Sequence, residues 1–433
     1  MDRGTREEIP ESRHFFYEDG ELTCDGVPLA KVAEQFETPT YVYSADSIDK
    51  AYDRLIDAVD PPCLVAYAIK ANSNLAVLRR LAKRGCGADI VSGGELARCI
   101  EAGIDPKKIV YSGVGKADWE LAAAVDAGIR AVHAESAPEI DALEAIARDK
   151  GVCAPLTLRV NPDVDPDTHP YIATGLHDTK FGLELDAARA LLPRVLNSPH
   201  LRLEGVACHI GSQLGSADPM RDAVAILGRF AVECEQAGAE LNTIDVGGGW
   251  PILYGDEDAF PPSWKAFGDA IRDGLKESGA SALGLETIVE PGRALVGDAG
   301  GLLTRVLFVK EQADKRFVIV DAAMTELIRP ALYDAYHAVM GMTESAETVV
   351  ADLVGPVCET GDFFAIDRAL PDVGRGDLLL IRGAGAYGTT MASTYNSRRL
   401  AAEVMVESGQ AGWIRRRQPL EDLWRDERIE PVS

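Results

Sequence analysis

Through the middle of the chain, short β-branched runs alternate with longer amphipathic ones. The runs predict strands at Leu64–Ile69, Ala88–Val91, Ile109–Ser112, Ala131–Ala134, Leu156–Val160, Gly205–His209, Thr243–Val246 and Thr287–Glu290. Between most of them apolar residues recur at helical spacing, as in Leu75–Lys83, Glu95–Ala102, Trp119–Ala127 and Pro138–Lys150. These stretches stop at Gly85, Gly103, Gly128 and Gly151, the residue type that tolerates a left-handed C-terminal cap. Strand–helix alternation implies a parallel sheet. Eight repeats over roughly 250 residues imply a closed (β/α)₈ barrel rather than an open doubly wound sheet. The segments after the fifth to seventh strands carry extra loop, such as Asp163–Gly182.

After about residue 300 the rhythm changes. Leu302–Val309, Phe317–Val320, Thr348–Leu353, Leu378–Ile381 and Ala402–Val406 read as strands with few helices between them, and Glu18-Asp19-Gly20-Glu21 near the start is a hairpin signal. The expected architecture is α/β: a (β/α)₈ TIM-type barrel over 40–298, and a mainly β second domain, a Greek-key-like barrel or sandwich, built from 1–39 and 299–433.

Composition narrows the class of protein. Of 433 residues, 46% are hydrophobic, enough for a large core, and 44 Lys+Arg against 69 Asp+Glu give a formal charge of −25. That balance argues against a nucleic-acid backbone or an anionic membrane as partner. The first sixteen residues are charged and lack the apolar core of a signal peptide, and no apolar run approaches the ~18 residues of a membrane span. The eight cysteines form no C-x-x-C pair, the pattern of reduced thiols in a cytoplasmic enzyme without a zinc site.

In such barrels chemistry sits at the C-terminal ends of the strands. Those ends carry Lys70, Asp89, His209, Gly247-Gly248-Gly249 and Glu290-Pro291-Gly292-Arg293. By the two-residue period Lys70 shares a face with Leu64, Ala66 and Ala68, whose small neighbours leave room beside the amine. A lysine there either snorkels to solvent or is paired, titrated or covalently used. The glycine run is either a tight turn or a close-approach cradle for an anion, with Arg293 adding positive charge beside it. A strand-end Glu290 commonly pairs with an arginine; here it also points at the mouth. An interior lysine, an anion cradle and a carboxylate together describe a site for pyridoxal 5′-phosphate. A metal-dependent hydrolase using His209, Asp245 and Glu290 would need a denser ligand set, so no metal is expected.

Tyr67-Ala68-Ile69-Lys70-Ala71-Asn72, Ser92-Gly93-Gly94-Glu95, Cys208-His209-Ile210-Gly211-Ser212, Val246-Gly247-Gly248-Gly249 and Glu290-Pro291-Gly292-Arg293 resemble the fold-type III pyridoxal-phosphate decarboxylases. His169-Pro170-Tyr171-Ile172-Ala173-Thr174-Gly175 with Lys180-Phe181-Gly182, and Gly355-Pro356-Val357-Cys358-Glu359-Thr360-Gly361-Asp362, resemble the diaminopimelate-decarboxylase branch. The match runs in order from about residue 36 to the C-terminus.

The resemblance implies that Lys70 holds the cofactor covalently, that His209 stacks on its ring, and that Asp89 lies near the lysine. It implies that Ser212, Gly248 and the Glu290, Pro291, Gly292, Arg293 turn contact phosphate or ring. Arg293, Arg329, Tyr333, Glu359 and Tyr387 would hold the substrate, with Tyr387 also reaching the phosphate. Cys358 would protonate the carbon left by carbon dioxide; a lone cysteine is otherwise usually an inert buried thiol. The family forms homodimers in which the cysteine loop enters the neighbouring barrel. Threonine at 360, where serine is more usual, keeps the hydroxyl.

The implied reaction converts meso-2,6-diaminopimelate to L-lysine; ornithine, arginine and carboxynorspermidine are alternative substrates. A distal zwitterion asks for a planar cation and an acid, and Arg293, Arg329 and Glu359 supply both signs. Lys180 is an alternative covalent lysine, placed in a loop.

Overall fold

A computed structural model of the chain describes residues 14–165, 180–255, 261–345 and 347–429. The motif around His169–Gly175 therefore lies outside the described residues. The chain divides into two compact units, one of residues 51–252 and 260–295, the other of 1–50, 253–259 and 296–433.

The first unit is the expected closed barrel. Its eight strands, Cys63–Ala68, Gly87–Ile90, Ile109–Tyr111, Ala131–Ala134, Ala154–Arg159, Leu201–Ala207, Thr243–Asp245 and Glu286–Val289, are neighbours in chain order, and the eighth pairs with the first. All pairs are parallel. Leu64, Ala66, Val110 and Ile288 pack together as a buried cluster, so the face that leads toward Lys70 is the inward one. Helices lie between the strands, and their ends follow local chemistry. The Ser92 and Ser136 side chains accept from the N–H groups of Glu95 and Glu139, and Gly103, Gly128 and Gly151 take left-handed conformations at the C-caps.

The second unit is a nine-stranded, mostly antiparallel sheet. Its long strand Gly300–Gln312 pairs through its first half with Thr40–Ser44 on one side and Leu378–Ile381 on the other, and through its second half with Lys315–Val320. Alternate residues feed two cores. Tyr41, Tyr43 and Leu302 join one cluster, while Val42 and Leu303 join another with Phe15, Leu22 and Leu29. The N-terminal hairpin pairs Phe15–Glu18 with Glu21–Cys24 across Asp19-Gly20, both at positive φ, the geometry of a type I′ turn. Strands Val339–Gly341, Phe363–Pro371 and Gln410–Arg415 were not expected from the apolar pattern; the exposed and half-buried positions along the last two blur it.

Candidate active site

The barrel mouth collects buried polar groups from every strand end. Lys70 lies just past the first strand, in the single 3₁₀ turn Ile69–Ala71, not on the strand as the two-residue period required. The turn nevertheless aims its amine at the neighbouring strand: Nζ donates to Asp89 Oδ2 at 2.9 Å. The Asp89 side chain is fully buried. Burial alone would raise its pKa, but Lys70 outweighs this and holds the carboxyl below its ordinary value. Glu95 of the adjacent helix accepts from the Val91 N–H at 2.7 Å and is pushed up to about 7, chiefly by burial.

His209 follows the sixth strand, and its Nδ1 accepts from the Gly248 N–H at 3.0 Å. That bond places the ring proton on Nε2. Burial, with Arg159 and Lys70 nearby, lowers its pKa to about 3, so the ring is neutral. The glycine run therefore contributes closeness more than free donors, since the Gly247 N–H is also taken, by Asp245 Oδ1 at 2.9 Å. A Cβ on Gly248 would stand 2.4 Å from the Glu290 carbonyl oxygen, and one on Gly247 2.6 Å from His209 Nδ1. Arg293, in the short helix after Pro291-Gly292, donates through Nη2 to Ser212 Oγ at 3.3 Å. The Pro291 carbonyl accepts from the Ala68 N–H at 3.0 Å, which ties this turn to the strand before Lys70.

Glu290 is not isolated. Ser112 Oγ lies 3.2 Å from His133 Nδ1 and 3.4 Å from Glu290 Oε1, while His133 Nε2 stands 3.7 Å from Asp245 Oδ2. Burial pushes Glu290 well up, with the charges of Asp245 and Asp89 adding to it; Asp245 is pushed up to about 7 by burial and by Asp89. His133 is lowered to about 3 by burial. Ser112, His133, Arg159 and Glu135 were missed by the sequence reading, which named Asp245 only as a ligand of the rejected metal site, although a polar residue inside a short apolar strand, as in Ala-Val-His-Ala, was available as a signal. His133, Asp245 and Glu290 also have metal-ligand spacing; His209 stands outside that group.

Glu135 braces the mouth. Its carboxylate accepts from Arg159 Nη1 at 3.0 Å and from the N–H groups of Gly113 at 2.7 Å and Gly182 at 2.9 Å. Lys180 sits beside Phe181, its amine 5.4 Å from the ring centroid.

The remaining expected residues lie in the β unit. Cys358 and Glu359 are exposed on a loop closed by Asp362, whose side chain accepts from the Met324 and Val357 N–H groups, both at 2.6 Å. The Cys358 N–H donates to Asn396 at 3.0 Å, and Tyr395 donates to Glu359 at 3.3 Å. Arg329 is buried at the start of the short helix Arg329–Tyr333, which ends on Tyr333; Tyr387 lies in a loop with φ 57°.

The barrel residues suit pyridoxal 5′-phosphate. They offer one paired amine, a side-chain-free backbone cradle beside an arginine, and a neutral flat ring. Among the described residues Asp89 Oδ1 and Asp245 Oδ2 are buried without a hydrogen-bond partner, and burial pushes Glu290 well up despite Lys70 and Arg159, so an arriving protonated ring nitrogen has a place.

Residues 45–297 match the pyridoxal binding domain of the pyridoxal-dependent decarboxylases. The chain is 45% identical to a diaminopimelate decarboxylase of Zymomonas mobilis over 417 residues, 95% of this chain and 98% of that protein. Among solved structures it resembles the Helicobacter pylori diaminopimelate decarboxylase complexed with L-lysine (TM-score 0.88, 40% identity, covering 92% of this chain and 99% of that one). It also resembles the M. jannaschii enzyme in co-complex with L-lysine (TM-score 0.92, 37% identity, 97% and 99%).

Proposed function

The chain belongs to the pyridoxal-dependent decarboxylases and, within them, to the diaminopimelate decarboxylases, and from that premise we propose how its residues divide the work. The reaction is the decarboxylation of meso-2,6-diaminopimelate to L-lysine and carbon dioxide, a carboxy-lyase step. The observation that carries the assignment of roles is the Lys70 amine held 2.9 Å from Asp89 in the barrel mouth.

When bound, pyridoxal 5′-phosphate supplies a covalent hold on the substrate amine and a sink for the electron pair left by carbon dioxide. Lys70 is the attachment point, and Asp89 keeps its nitrogen aimed. Glu290 holds a proton at the ring nitrogen. Neutral His209 presents a flat face, fixed by the Gly248 N–H, and adds no charge against the ring. Ser212, Gly248, Pro291, Gly292, Arg293 and Tyr387 hold phosphate or ring.

Cys358 delivers the proton to the carbon that loses its carboxylate. Arg329, Arg293, Tyr333, Glu359 and Tyr387 hold the substrate. Ornithine and arginine bring only a distal cation, whereas buried Arg329 and Arg293 suit a distal carboxylate. The working form is a homodimer in which the loop bearing Cys358 and Glu359 serves the partner's barrel. Among the described residues no helix is long and apolar enough to cross a membrane, which fits a cytoplasmic site of action.

The test is borohydride reduction of the yellow holoenzyme with mapping of the labelled lysine, beside carbon dioxide release from meso-diaminopimelate, ornithine and arginine. Label on Lys70 and fastest turnover of diaminopimelate are expected. Label on Lys180 overturns the lysine assignment, and faster ornithine turnover overturns the substrate.

A further inference from the structure

His337 is fully buried in the β unit and is absent from every role assigned above. Its two ring nitrogens meet partners of opposite kind. Nδ1 lies 2.7 Å from the carbonyl oxygen of Arg382, which can only accept. Nε2 lies 2.8 Å from Arg329 Nη1, which can only donate. The imidazole is therefore neutral, with its proton on Nδ1 and its Nε2 lone pair taken up by the guanidinium.

The same guanidinium is fixed from a second side. Its central carbon stands 4.9 Å from the centroid of the Tyr254 ring, and that ring meets His337 edge-on at 5.2 Å and 78°. The close packing depends on Gly383, at φ +64°, where a Cβ would come within 3.1 Å of Tyr254 Cδ1 and 3.7 Å of His337 Nδ1. His337 is tied in turn through its own carbonyl, which accepts from Arg368 Nη2 at 2.9 Å. Imidazole, phenol ring and guanidinium thus form one braced cluster.

The chemical character of the brace matters. A carboxylate at the position of His337 would orient the arginine equally well but would also cancel its charge. A neutral nitrogen acceptor and the face of a phenol ring orient it and themselves bring no counter-charge. We infer that His337 is a positioning residue for substrate recognition: with Tyr254 it holds the Arg329 guanidinium in the orientation that receives the carboxylate distal to the reacting carbon. This rests on the reading that Arg329 binds that carboxylate.

The experiment uses the holoenzyme and two inhibitors that differ in one group. L-Lysine retains the distal carboxylate; 1,5-diaminopentane has none. Gln at 337 keeps an acceptor at the position of Nε2, whereas Asn keeps only the donor toward Arg382. His337→Asn is expected to raise KM and the L-lysine inhibition constant about tenfold or more, to change kcat less than about threefold, and to leave 1,5-diaminopentane inhibition within about twofold. His337→Gln should recover most of the loss. Tyr254→Leu, a milder change should the Asn variant fail to fold, should weaken L-lysine alone in the same direction.

If His337→Asn weakens both inhibitors alike, or lowers kcat alone, the positioning role is overturned. Arg329→Ala separates the two ideas. If it leaves L-lysine inhibition unchanged, the parent reading of Arg329 fails. If it weakens L-lysine while His337→Asn and Tyr254→Leu do not, only the inference about His337 fails.

Discussion

In the protein stripped of cofactor, Asp245 and Glu290 share a fully buried space with His133, one ligand-type atom of each lying within 4.8 Å of the others. Two full negative charges at that separation repel by about 3.5 kcal/mol at an effective dielectric constant of ~20. The molecule avoids this by keeping a proton on the pair: the charge of Asp245 adds to burial in pushing Glu290 well up, while burial first, and then Asp89, push Asp245 up to about 7 from its ordinary 3.8. A carboxyl raised in the folded state binds a proton that the unfolded chain releases. The stability it contributes is full below about pH 4 and is lost as pH rises toward 7. Asp245→Asn keeps the acceptor for the Gly247 N–H and removes both the titration and the repulsion. The apo variant should gain on the wild type as pH rises, by about 3.5 kcal/mol or more at pH 8. The assay is urea unfolding of both apo proteins at pH 5, 6, 7 and 8. Parallel stability curves, or a variant less stable than the wild type at pH 8, would refute the buried-pair reasoning. Reloading with pyridoxal 5′-phosphate should narrow the gap, because a protonated ring nitrogen gives Glu290 an opposite charge.

Gly248→Ala drives a methyl to 2.4 Å from the Glu290 carbonyl oxygen, so it should cost about 1–3 kcal/mol in urea unfolding and weaken cofactor uptake measured by visible absorbance. Glu135→Ala strands buried Arg159 and leaves the Gly113 and Gly182 N–H groups without this acceptor; a loss of about 3–5 kcal/mol is expected, checked by thermal unfolding. Mixing inactive Lys70→Ala and Cys358→Ala proteins should restore up to about a quarter of wild-type activity through hybrid dimers if the site is shared between subunits. No recovery despite demonstrated subunit exchange would count against the shared site.

The barrel was legible because its signal is redundant: eight strands, the helices between them and glycine stops all repeat one pattern. The β unit was legible where a strand carries a long apolar run, even one partly exposed such as Thr348–Val354. Gly300–Gln312 and Leu378–Ile381 were found, whereas Gln410–Arg415, exposed or half-buried along its length, was not. Thr40–Ser44 was missed for another reason: it is wholly buried but only five residues long, and its partners lie more than 250 residues away. Pairing at that distance leaves no local trace.

The strand ends carry a different lesson. Every expected barrel strand except the fourth ran one or two residues past the observed C-terminal end: to Ile69 instead of Ala68, to Ser112 instead of Tyr111, to His209 instead of Ala207, to Glu290 instead of Val289. The overshoot has a physical origin. A residue that leaves the ladder but stays buried in the mouth still sits among apolar neighbours, so it reads as strand. Its backbone has turned, however, as at Lys70, where a 3₁₀ turn rather than the strand period aims the amine at Asp89. Three of the eight residues miscounted as strand, Ser112, His209 and Glu290, carry side chains that converge in the site. His133 and Arg159, missed altogether, and Asp245, considered only as a metal ligand, sit inside the ladder on the fourth, fifth and seventh strands, where a two-residue alternation cannot tell a barrel's packed interior from its polar floor. Only closing the sheet brings His133 and Asp245, 112 positions apart in the chain, to 3.7 Å. Topology, and not local pattern, makes that contact.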